Sequence, residues 1–250
     1  MSPQILVSSA AGVCEIRFNR PEKRNAITFA MYDAVCAALA HAQADATVRA
    51  VLLSGEGAGF SAGNDLNDFL GGLKFDGDHP VIRLLRALAT FGKPLLAAVH
   101  GQAVGIGTTL LLHCDLVVAA RGTVFSMPFV SLGLVPEAAS SLLLPRLVGQ
   151  QRAAELLLLG KPFDAASAHS MGLVNRVVEE ADLLGEARAL AQEISSQPLE
   201  ALLAARRLLR GDPAQVLARI DAEAKIFAER LQSEEFRAAV HAIQSRRRPG

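Results

Sequence analysis

The stretch Gly59-Phe60-Ser61-Ala62-Gly63-Asn64-Asp65-Leu66 decides how we interpret this chain. It follows the apolar run Ala50-Val51-Leu52-Leu53-Ser54, which predicts a buried strand, and its last two residues open a predicted helix. Small residues between the two elements let the main chain approach a ligand closely. A helix start leaves N–H groups unpaired and directs a positive dipole end at the same point. The stretch therefore predicts an oxyanion-binding pocket built from backbone.

The spacing Gly59-x-Ser61-x-Gly63 also matches the nucleophile elbow of serine hydrolases. That motif needs a tight strand-to-helix turn, whereas here the strand ends at Ser54 and a glycine-rich loop intervenes. It also needs an acid and then a histidine downstream. Asp164 and His169 lie too close together, and His241 falls in a predicted helical tail. The serine-hydrolase interpretation is therefore disfavoured.

Length and charge indicate one domain without an electrostatic surface for polyanions. The chain has 250 residues, enough to bury a large core, and 25 basic residues balance 25 acidic ones. We divide it into a core, residues 1–195, and a C-terminal helical region, residues 196–250. The balanced charge predicts no nucleic-acid partner and no anionic membrane surface, and the run Arg246-Arg247-Arg248 is interpreted as a solvated tail. The odd number of cysteines, without metal spacing, predicts neither a disulfide framework nor a metal site.

One apolar run, residues 94–114, contains no Asp, Glu, Lys or Arg and invites a membrane interpretation. Its proline, glycines and polar residues instead favour a buried strand, a glycine turn and a buried helix. The start of the sequence has no signal-peptide pattern, and its end has no Ser-Lys-Leu-type peroxisomal signal. We therefore expect a cytoplasmic protein that does not bind membranes.

The remaining pattern predicts an α/β fold, because strands and helices alternate in the first two thirds and helices dominate from Gln150 onward. A β-hairpin opens the chain, and residues 71–78 form a polar loop that we expect to be mobile. The predicted strands are residues 5–7, 13–18, 50–54, 95–99, 115–120, 123–126 and 174–178. The predicted helices before the C-terminal region are residues 26–44, 65–70, 79–91, 108–114 and 138–144.

A second glycine turn, Gly105-Ile106-Gly107, occupies a position that corresponds to the first. Each turn follows a predicted buried strand and precedes a predicted helix. Two backbone N–H donors that converge on one point would polarise a carbonyl oxygen and stabilise an enolate. The sequence thus predicts a two-donor oxyanion hole.

At this point the chain resembles the crotonase (enoyl-CoA hydratase/isomerase) superfamily. The matching segments occur in the family's order and spacing from residue 19 to about residue 178. They are Asn19-Arg20-Pro21 with Asn25-Ala26, Phe60-Ser61-Ala62-Gly63-Asn64-Asp65-Leu66, His100-Gly101-Gln102-Ala103-Val104-Gly105, Asp115-Leu116-Val117-Val118-Ala119, Gly133-Leu134-Val135-Pro136 and Gly172-Leu173-Val174. The resemblance implies a crotonase-like spiral of ββα units with a C-terminal helical trimerisation region. It also implies homotrimers or dimers of trimers that act on acyl-CoA thioesters, with no cofactor because coenzyme A is part of the substrate.

The resemblance also implies where the site residues lie. The two oxyanion donors fall on the N–H of Asn64 and the N–H of Ile106. The coenzyme A moiety lies against residues 20–26 and 61–66, with Lys23 or Arg24 near the phosphates. The implied substrate-binding residues are Lys23, Arg24, Ala26, Ser61, Ala62, Gly63, Asp65, Leu66, Gly105 and Phe129.

The acidic residues predict the reaction. Hydratases of this superfamily use two carboxylates, but Thr109 and Phe129 occupy the positions where those acids are expected. Glu137 is the carboxylate that remains, between apolar runs, and the peroxisomal-type Δ3,Δ2-enoyl-CoA isomerases have a Pro-Glu base here. A plainer interpretation makes Glu137 a helix N-terminal acid favoured by the dipole. We expect the catalytic role, in which Glu137 shuttles one proton during isomerisation of 3-enoyl-CoA to 2-enoyl-CoA.

Two alternatives stay open from the sequence. One is an enoyl-CoA hydratase of the same superfamily, since one fold hosts many reactions. The other is a non-catalytic acyl-CoA- or RNA-binding member, which the balanced charge disfavours for RNA. Among other polar residues, His100 and His113 are expected to be satisfied core histidines, and Arg146 is expected to form a structural ion pair.

Overall fold

The structure is a computed structural model that describes residues 3–69 and 77–246. Its larger sheet has the strand order β1-β2-β3-β4-β6-β9, with β1 antiparallel to β2 and the other neighbours parallel. A smaller sheet has the order β5-β7-β8. The strands are β1 (Ile5–Ala10), β2 (Val13–Phe18), β3 (Ala50–Gly55), β4 (Leu95–Val99), β5 (Gln102–Val104), β6 (Leu116–Ala120), β7 (Val124–Ser126), β8 (Phe163–Asp164) and β9 (Arg176–Val178).

Helices cover both faces of the larger sheet and form the C-terminal region. They are α1 (Phe29–Ala44), α2 (Leu66–Phe69), α3 (Pro80–Thr90), α4 (Ile106–Thr109), α5 (Ser140–Val148), α6 (Gln150–Ala154), α7 (Ala165–Ser170), α8 (Leu183–Ser196), α9 (Leu199–Arg210), α10 (Ala214–Leu231) and α11 (Glu234–Arg246). The mixed α/β class and the helical C-terminal end agree with the sequence prediction. The predicted loop of residues 71–78 and the basic run from residue 246 lie largely outside the described residues.

The larger sheet is buried on both faces, and the inward positions of β3 and β4 are apolar except for the buried Ser54. Val51 and Leu53 face the core shared with α1 and α3, whereas Ala50 and Leu52 face α8. Helix α10 packs against α3 and α5, so the C-terminal region closes one side of the core. Within the described ranges, we find no helix that is both long enough and apolar enough to cross a membrane.

Several predicted boundaries were wrong, for local reasons. Helix α1 begins at Phe29 rather than residue 26, because Ile27 is extended and pairs with Asn64, and Thr28 caps the helix by accepting a 3.3 Å hydrogen bond from the N–H of Met31. The predicted glycine turn at 100–107 contains strand β5. The region after Gln150 contains strand β8, a pair of residues too short to leave a periodic signal.

Candidate active site

The two glycine turns pair directly with each other. Ser61 and Ala103 form a parallel bridge, in which the Ser61 N–H donates to the Gln102 carbonyl at 3.0 Å and the Val104 N–H donates to the Ser61 carbonyl at 3.0 Å. Gly63 has a φ of +84°, and a Cβ at this position would lie 2.7 Å from the Val104 carbonyl oxygen. Only glycine allows both this conformation and this approach. The pairing therefore aligns the starts of α2 and α4.

Two N–H groups remain available beside this pairing. Asn64 lies just before α2, and Ile106 is the first residue of α4. Among the described residues, no protein acceptor takes a hydrogen bond from either N–H. The first N–H groups of a helix lack partners within the helix, which applies to Ile106. The bridge between Ile27 and Asn64 uses the Gly63 carbonyl and the Asp65 N–H, so it leaves the Asn64 N–H available. A carbonyl oxygen of a ligand can accept from either donor. The structure thus brings together the two donors that the sequence analysis selected.

The side chain of Asn64 is held by a residue that the sequence analysis did not select. The Tyr32 hydroxyl, on α1, donates a hydrogen bond to Asn64 Oδ1. Tyr32 is completely buried, and burial raises its pKa well above the ordinary value, so the phenol stays a donor. This contact fixes the orientation of Asn64. A lone tyrosine in an amphipathic helix carries no sequence signal for such a role.

Glu137 lines the same pocket as Asn64 and is buried, with only 4% of its surface exposed. The Thr109 hydroxyl donates to its Oε1, whereas no group among the described residues pairs with its Oε2. Burial raises the pKa of Glu137 to about 8, the Thr109 hydrogen bond opposes this shift, and the nearby Glu223 carboxylate adds to it. Thr109 occupies the position where a hydratase is expected to have one of its acids. In this chain it is instead the hydrogen-bond partner of Glu137.

The backbone after Glu137 excludes its interpretation as a helix N-terminal acid. Ala138 and Ala139 both adopt left-handed conformations, with φ of 60° and 54°. Helix α5 accordingly begins at Ser140, not at residue 138 as predicted. Two left-handed residues separate Glu137 from the helix, so its carboxylate does not cap the helix end.

Two buried side chains hold this unusual turn. The His113 ring lies with Nε2 2.8 Å from the Ala138 carbonyl; because a carbonyl only accepts, Nε2 carries the proton. Burial lowers the pKa of His113 to about 4, so the ring is neutral near pH 7. Glu223, on α10, accepts hydrogen bonds from the N–H groups of Ala139 and Ser141. The sequence analysis expected His113 to be a satisfied core histidine, which is confirmed, and did not select Glu223.

An apolar pocket opens next to Glu137 and Asn64, between α3 and α10. Its other lining residues are Val81, Ile82, Leu85, Ala138, Ile220, Glu223, Ala224 and Phe227. Glu223 shares the apolar helix face of Ile220 and Phe227, three residues before it and four after it. An acid in that stripe was the one sequence signal that could have identified Glu223.

The loop of residues 20–26 lies against the first glycine turn. The Ala62 N–H donates to the Arg24 carbonyl at 2.8 Å, and Lys23 and Arg24 are both exposed. Arg20 forms an ion pair of 2.7 Å with Asp65 and also donates to the Ala26 carbonyl at 2.9 Å. The predicted coenzyme A segments are therefore adjacent, with two exposed cations beside them.

Asp65 has a positioning role within this loop contact. Burial alone would raise its pKa, but the hydrogen bond from Arg20 and the N–H of Asn67 outweigh that effect and hold the pKa below the ordinary value. Asp65 therefore stays ionised and caps the start of α2. The sequence analysis listed Asp65 among the residues implied to bind the substrate, and the structure gives it this capping role.

Of the other predicted binding residues, Ser61 is held by protein contacts, whereas Phe129 and Leu66 belong to an apolar cluster. The Ser61 side chain is fully buried, with Oγ donating to the Asn25 carbonyl at 2.8 Å, so Ser61 offers a ligand only its backbone and is not an exposed nucleophile. The Phe129 ring lies 4.0 Å from where a Cβ of Gly105 would be, and Leu66 packs against the same apolar cluster. Phe129 and Leu66 therefore exclude water from the surroundings of the second glycine turn.

Two remaining expectations concern polar residues outside the pocket. His100 is only partly buried, and its Nε2 bonds the Gly57 carbonyl at 2.8 Å. Arg146 donates to the neutral side chain of Gln215 at 2.7 Å, so the predicted ion pair was wrong. In the described part of the chain, no group of three or more His, Cys, Asp or Glu side chains is arranged to hold a metal ion.

A known protein family matches nearly the whole chain. The sequence profile described as enoyl-CoA hydratase/isomerase matches residues 8–250, which includes both glycine turns and Glu137. The chain belongs to the enoyl-CoA hydratase/isomerase family. The crotonase resemblance is thereby confirmed.

Members of this family that resemble the chain carry different names. Enoyl-CoA delta isomerase 2 of Rattus norvegicus is 39% identical over 89% of this chain, which spans 58% of the length of the rat protein. The 1,2-epoxyphenylacetyl-CoA isomerase of Escherichia coli is 34% identical over 98% of the chain and 97% of its own length. The structure of Pseudomonas aeruginosa OdaA superposes with a TM-score of 0.94 at 44% identity and covers 97% of this chain and 99% of its own. The crotonase fold is thus confirmed, while the reaction requires a chemical argument.

Proposed function

We propose that this family member isomerises 3-enoyl-CoA to 2-enoyl-CoA with Glu137 as its single proton carrier. The observation that supports this most directly is the buried, unpaired Oε2 of Glu137, in the pocket that Asn64 also lines. A buried carboxylate oxygen without a hydrogen-bond donor is costly unless it has a functional partner. The acidic C2 proton of an acyl thioester is a chemically suitable partner.

The reaction needs one base that becomes one acid. Ionised Glu137 removes a proton from C2. The product is a dienolate, in which the thioester oxygen, C2 and C4 share the negative charge. The N–H groups of Asn64 and Ile106 bind the resulting oxyanion, a contact of the kind that contributes about 3 kcal/mol per donor. Protonated Glu137 then returns the proton to C4 and the double bond moves to C2–C3. No proton or electron is gained or lost overall.

The pKa of Glu137 suits this cycle. A proton carrier works best when its pKa is close to the working pH, because it must both accept and release the proton. Burial raises the pKa of Glu137 to about 8, and the Thr109 hydroxyl limits that rise. The isomerisation mechanism therefore predicts activity that increases with pH as Glu137 ionises.

Hydration, the alternative reaction in this family, requires a second available carboxylate. Thr109 and Phe129 cannot supply one. Glu223 lines the same pocket, but both of its oxygens already accept hydrogen bonds, one from Ala139 and the other from Ser141. This occupancy favours a single-acid reaction over addition of water.

For the coenzyme A portion, we propose that Lys23 or Arg24 binds phosphate oxygens, since both exposed cations lie in the loop that contacts the first glycine turn. A non-catalytic acyl-CoA-binding protein would need the same cations but would not need the buried acid. The acid beside the donors favours an enzyme. RNA binding has no support in the balanced charge of the chain.

We also propose that the chain forms a homotrimer or a dimer of trimers. Leu208 and Leu209, on α9, are 85% and 88% exposed in the single chain, and Leu158 and Leu159 are also exposed. Exposed pairs of adjacent leucines favour burial against another subunit. Light scattering at several protein concentrations tests this, and a monomer throughout would refute it.

A paired assay tests the proposed reaction. One arm follows formation of conjugated 2-enoyl-CoA from 3-enoyl-CoA, and the other follows loss of 2-enoyl-CoA through hydration. Glu137→Gln should abolish isomerisation and leave coenzyme A ester binding measurable, whereas Glu193→Gln, at an exposed glutamate on α8, should match the wild type. Hydration that survives Glu137→Gln would refute the single-acid mechanism.

A further inference from the structure

The turn after Glu137 requires an external restraint. Ala138 and Ala139 are consecutive left-handed alanines, at φ of 60° and 54°, and they are fully buried. L-residues other than glycine and asparagine rarely adopt this region because the Cβ crowds the following carbonyl. The surrounding structure must therefore determine the conformation. Since Glu137 immediately precedes the turn, the same restraint determines where its carboxylate lies.

Glu223 contributes three hydrogen bonds to that restraint. One carboxylate oxygen accepts a hydrogen bond of 2.7 Å from the Ala139 N–H. The other accepts bonds of 3.0 Å from the Ser141 N–H and 2.5 Å from the Ser141 hydroxyl. Glu223 is only 6% exposed, so these bonds form in a low-dielectric environment. Three donors thus converge on one acid from α10.

From this contact set, we propose that Glu223 is a positioning residue that holds the left-handed turn at Ala138 and Ala139 and thereby directs Glu137 Oε2 toward the substrate. The proposal rests on the proposed role of Glu137 as the proton carrier. It links the C-terminal helical region to the reaction, because α10 belongs to that region. An acid suits this task better than a neutral residue, since a carboxylate accepts from several N–H and O–H donors at once.

The charge of Glu223 also acts on Glu137. Both acids line the same pocket, and the negative charge of Glu223 raises the pKa of Glu137 beyond the effect of burial. Other ionisable groups face this cluster. Tyr32 on α1 and neutral His113 face Glu137 and its turn, while Arg219 on α10 donates to the Ser141 hydroxyl at 3.1 Å and partly offsets the charge of Glu223.

The test compares Glu223→Gln with Glu229→Gln, which changes an exposed glutamate of the same helix. Glutamine keeps the size of Glu223 but removes the charge and turns one acceptor into a donor that faces the backbone N–H groups. We expect kcat for isomerisation to fall at least tenfold with KM changed less than threefold. We also expect the pH at which kcat/KM is half-maximal to move downward, because a negative neighbour of Glu137 is lost. Glu229→Gln should change neither quantity.

A crystal structure of Glu223→Gln separates this proposal from the proposed reaction. Loss of the left-handed turn in Glu223→Gln supports the positioning role. A wild-type protein that does not isomerise 3-enoyl-CoA would refute the proposed reaction but not this structural role. An unchanged turn together with unchanged kcat overturns the positioning role. If Glu223→Gln does not fold, Ser141→Ala carries the test, since it removes the hydroxyl bond to Glu223, together with the contact from Arg219, and keeps the charge of Glu223. We then expect a three- to tenfold lower kcat, and an unchanged kcat overturns the proposal.

Discussion

The unfolding free energy of Glu137→Gln should increase relative to that of the wild type as the pH rises. Glu137 has a pKa of about 8 in the folded chain and about 4.5 in the unfolded chain. Between these values the folded state holds a proton that the unfolded state has released. The stability associated with that proton is fully present below pH 4.5 and is lost as the pH rises through 8. Glutamine cannot ionise, so Glu137→Gln does not undergo this loss.

The size of the effect follows from the pKa difference. One pKa unit corresponds to 1.36 kcal/mol, so the whole shift corresponds to an upper limit of about 5 kcal/mol. From pH 6 to pH 9 the wild type should lose about 3 kcal/mol of unfolding free energy that Glu137→Gln retains. Burial is the main cause, because the carboxylate is 4% exposed and its Oε2 has no protein donor among the described residues.

Urea unfolding at pH 6, 7.5 and 9 measures this difference, at one protomer concentration so that any assembly affects both proteins equally. Other titrating groups cancel because only the difference between the two proteins is used. Glu193→Gln serves as the control, since it removes an exposed carboxylate. Parallel pH dependences for wild type and Glu137→Gln would refute a buried acid with a raised pKa, and with it our explanation of the pH dependence of catalysis.

Three further substitutions test the surroundings of the site and the core. Thr109→Val removes the hydroxyl that donates to Glu137 and should move the half-maximal pH of kcat/KM upward by about one unit, since a hydrogen bond to a charged group contributes about 1.5–3 kcal/mol. Gly63→Ala forces a Cβ to within 2.7 Å of the Val104 carbonyl oxygen at a φ of +84°. It should lower kcat by about 100-fold, because the neighbouring N–H of Asn64 is displaced. The Kd for a coenzyme A ester, measured by calorimetry, should change less. Lys93→Met leaves buried backbone carbonyls without their ammonium donor and should lower the unfolding free energy by about 2–4 kcal/mol in urea, with kcat unchanged.

The donors of the site were predictable from sequence because their signals are local. A buried strand, small residues and a helix start within a few positions specify where unpaired N–H groups lie, whatever the side chains are. The family order of segments then identified Glu137. These inferences selected Asn64, Ile106 and Glu137. In the structure Asn64 and Glu137 line one pocket, and Thr109, on the helix that Ile106 begins, donates a hydrogen bond to Glu137.

The supports of the site were not predictable, because they depend on residues far apart in the chain. Tyr32 reaches Asn64 across 32 positions, and Glu223 reaches Ala139 across 84. Tyr32 leaves no signal in the pattern of its helix, and Glu223 interrupts the apolar face of α10 without indicating which residues it contacts. The left-handed turn at Ala138 also escaped prediction, since alanine favours helix and the sequence therefore predicted one starting there. The tertiary contacts from Glu223 outweigh that local preference.

The arrangement separates carbonyl binding from proton transfer. In the mechanism that we propose, the two N–H donors belong to the backbone, so substitutions that keep the backbone in place leave both donors available to the thioester oxygen. The acid depends on Thr109, on a strained turn and on a helix from the C-terminal region. Substitutions in these supporting elements can therefore change which proton moves without changing how the thioester binds. The identity of the fold alone therefore does not determine the reaction.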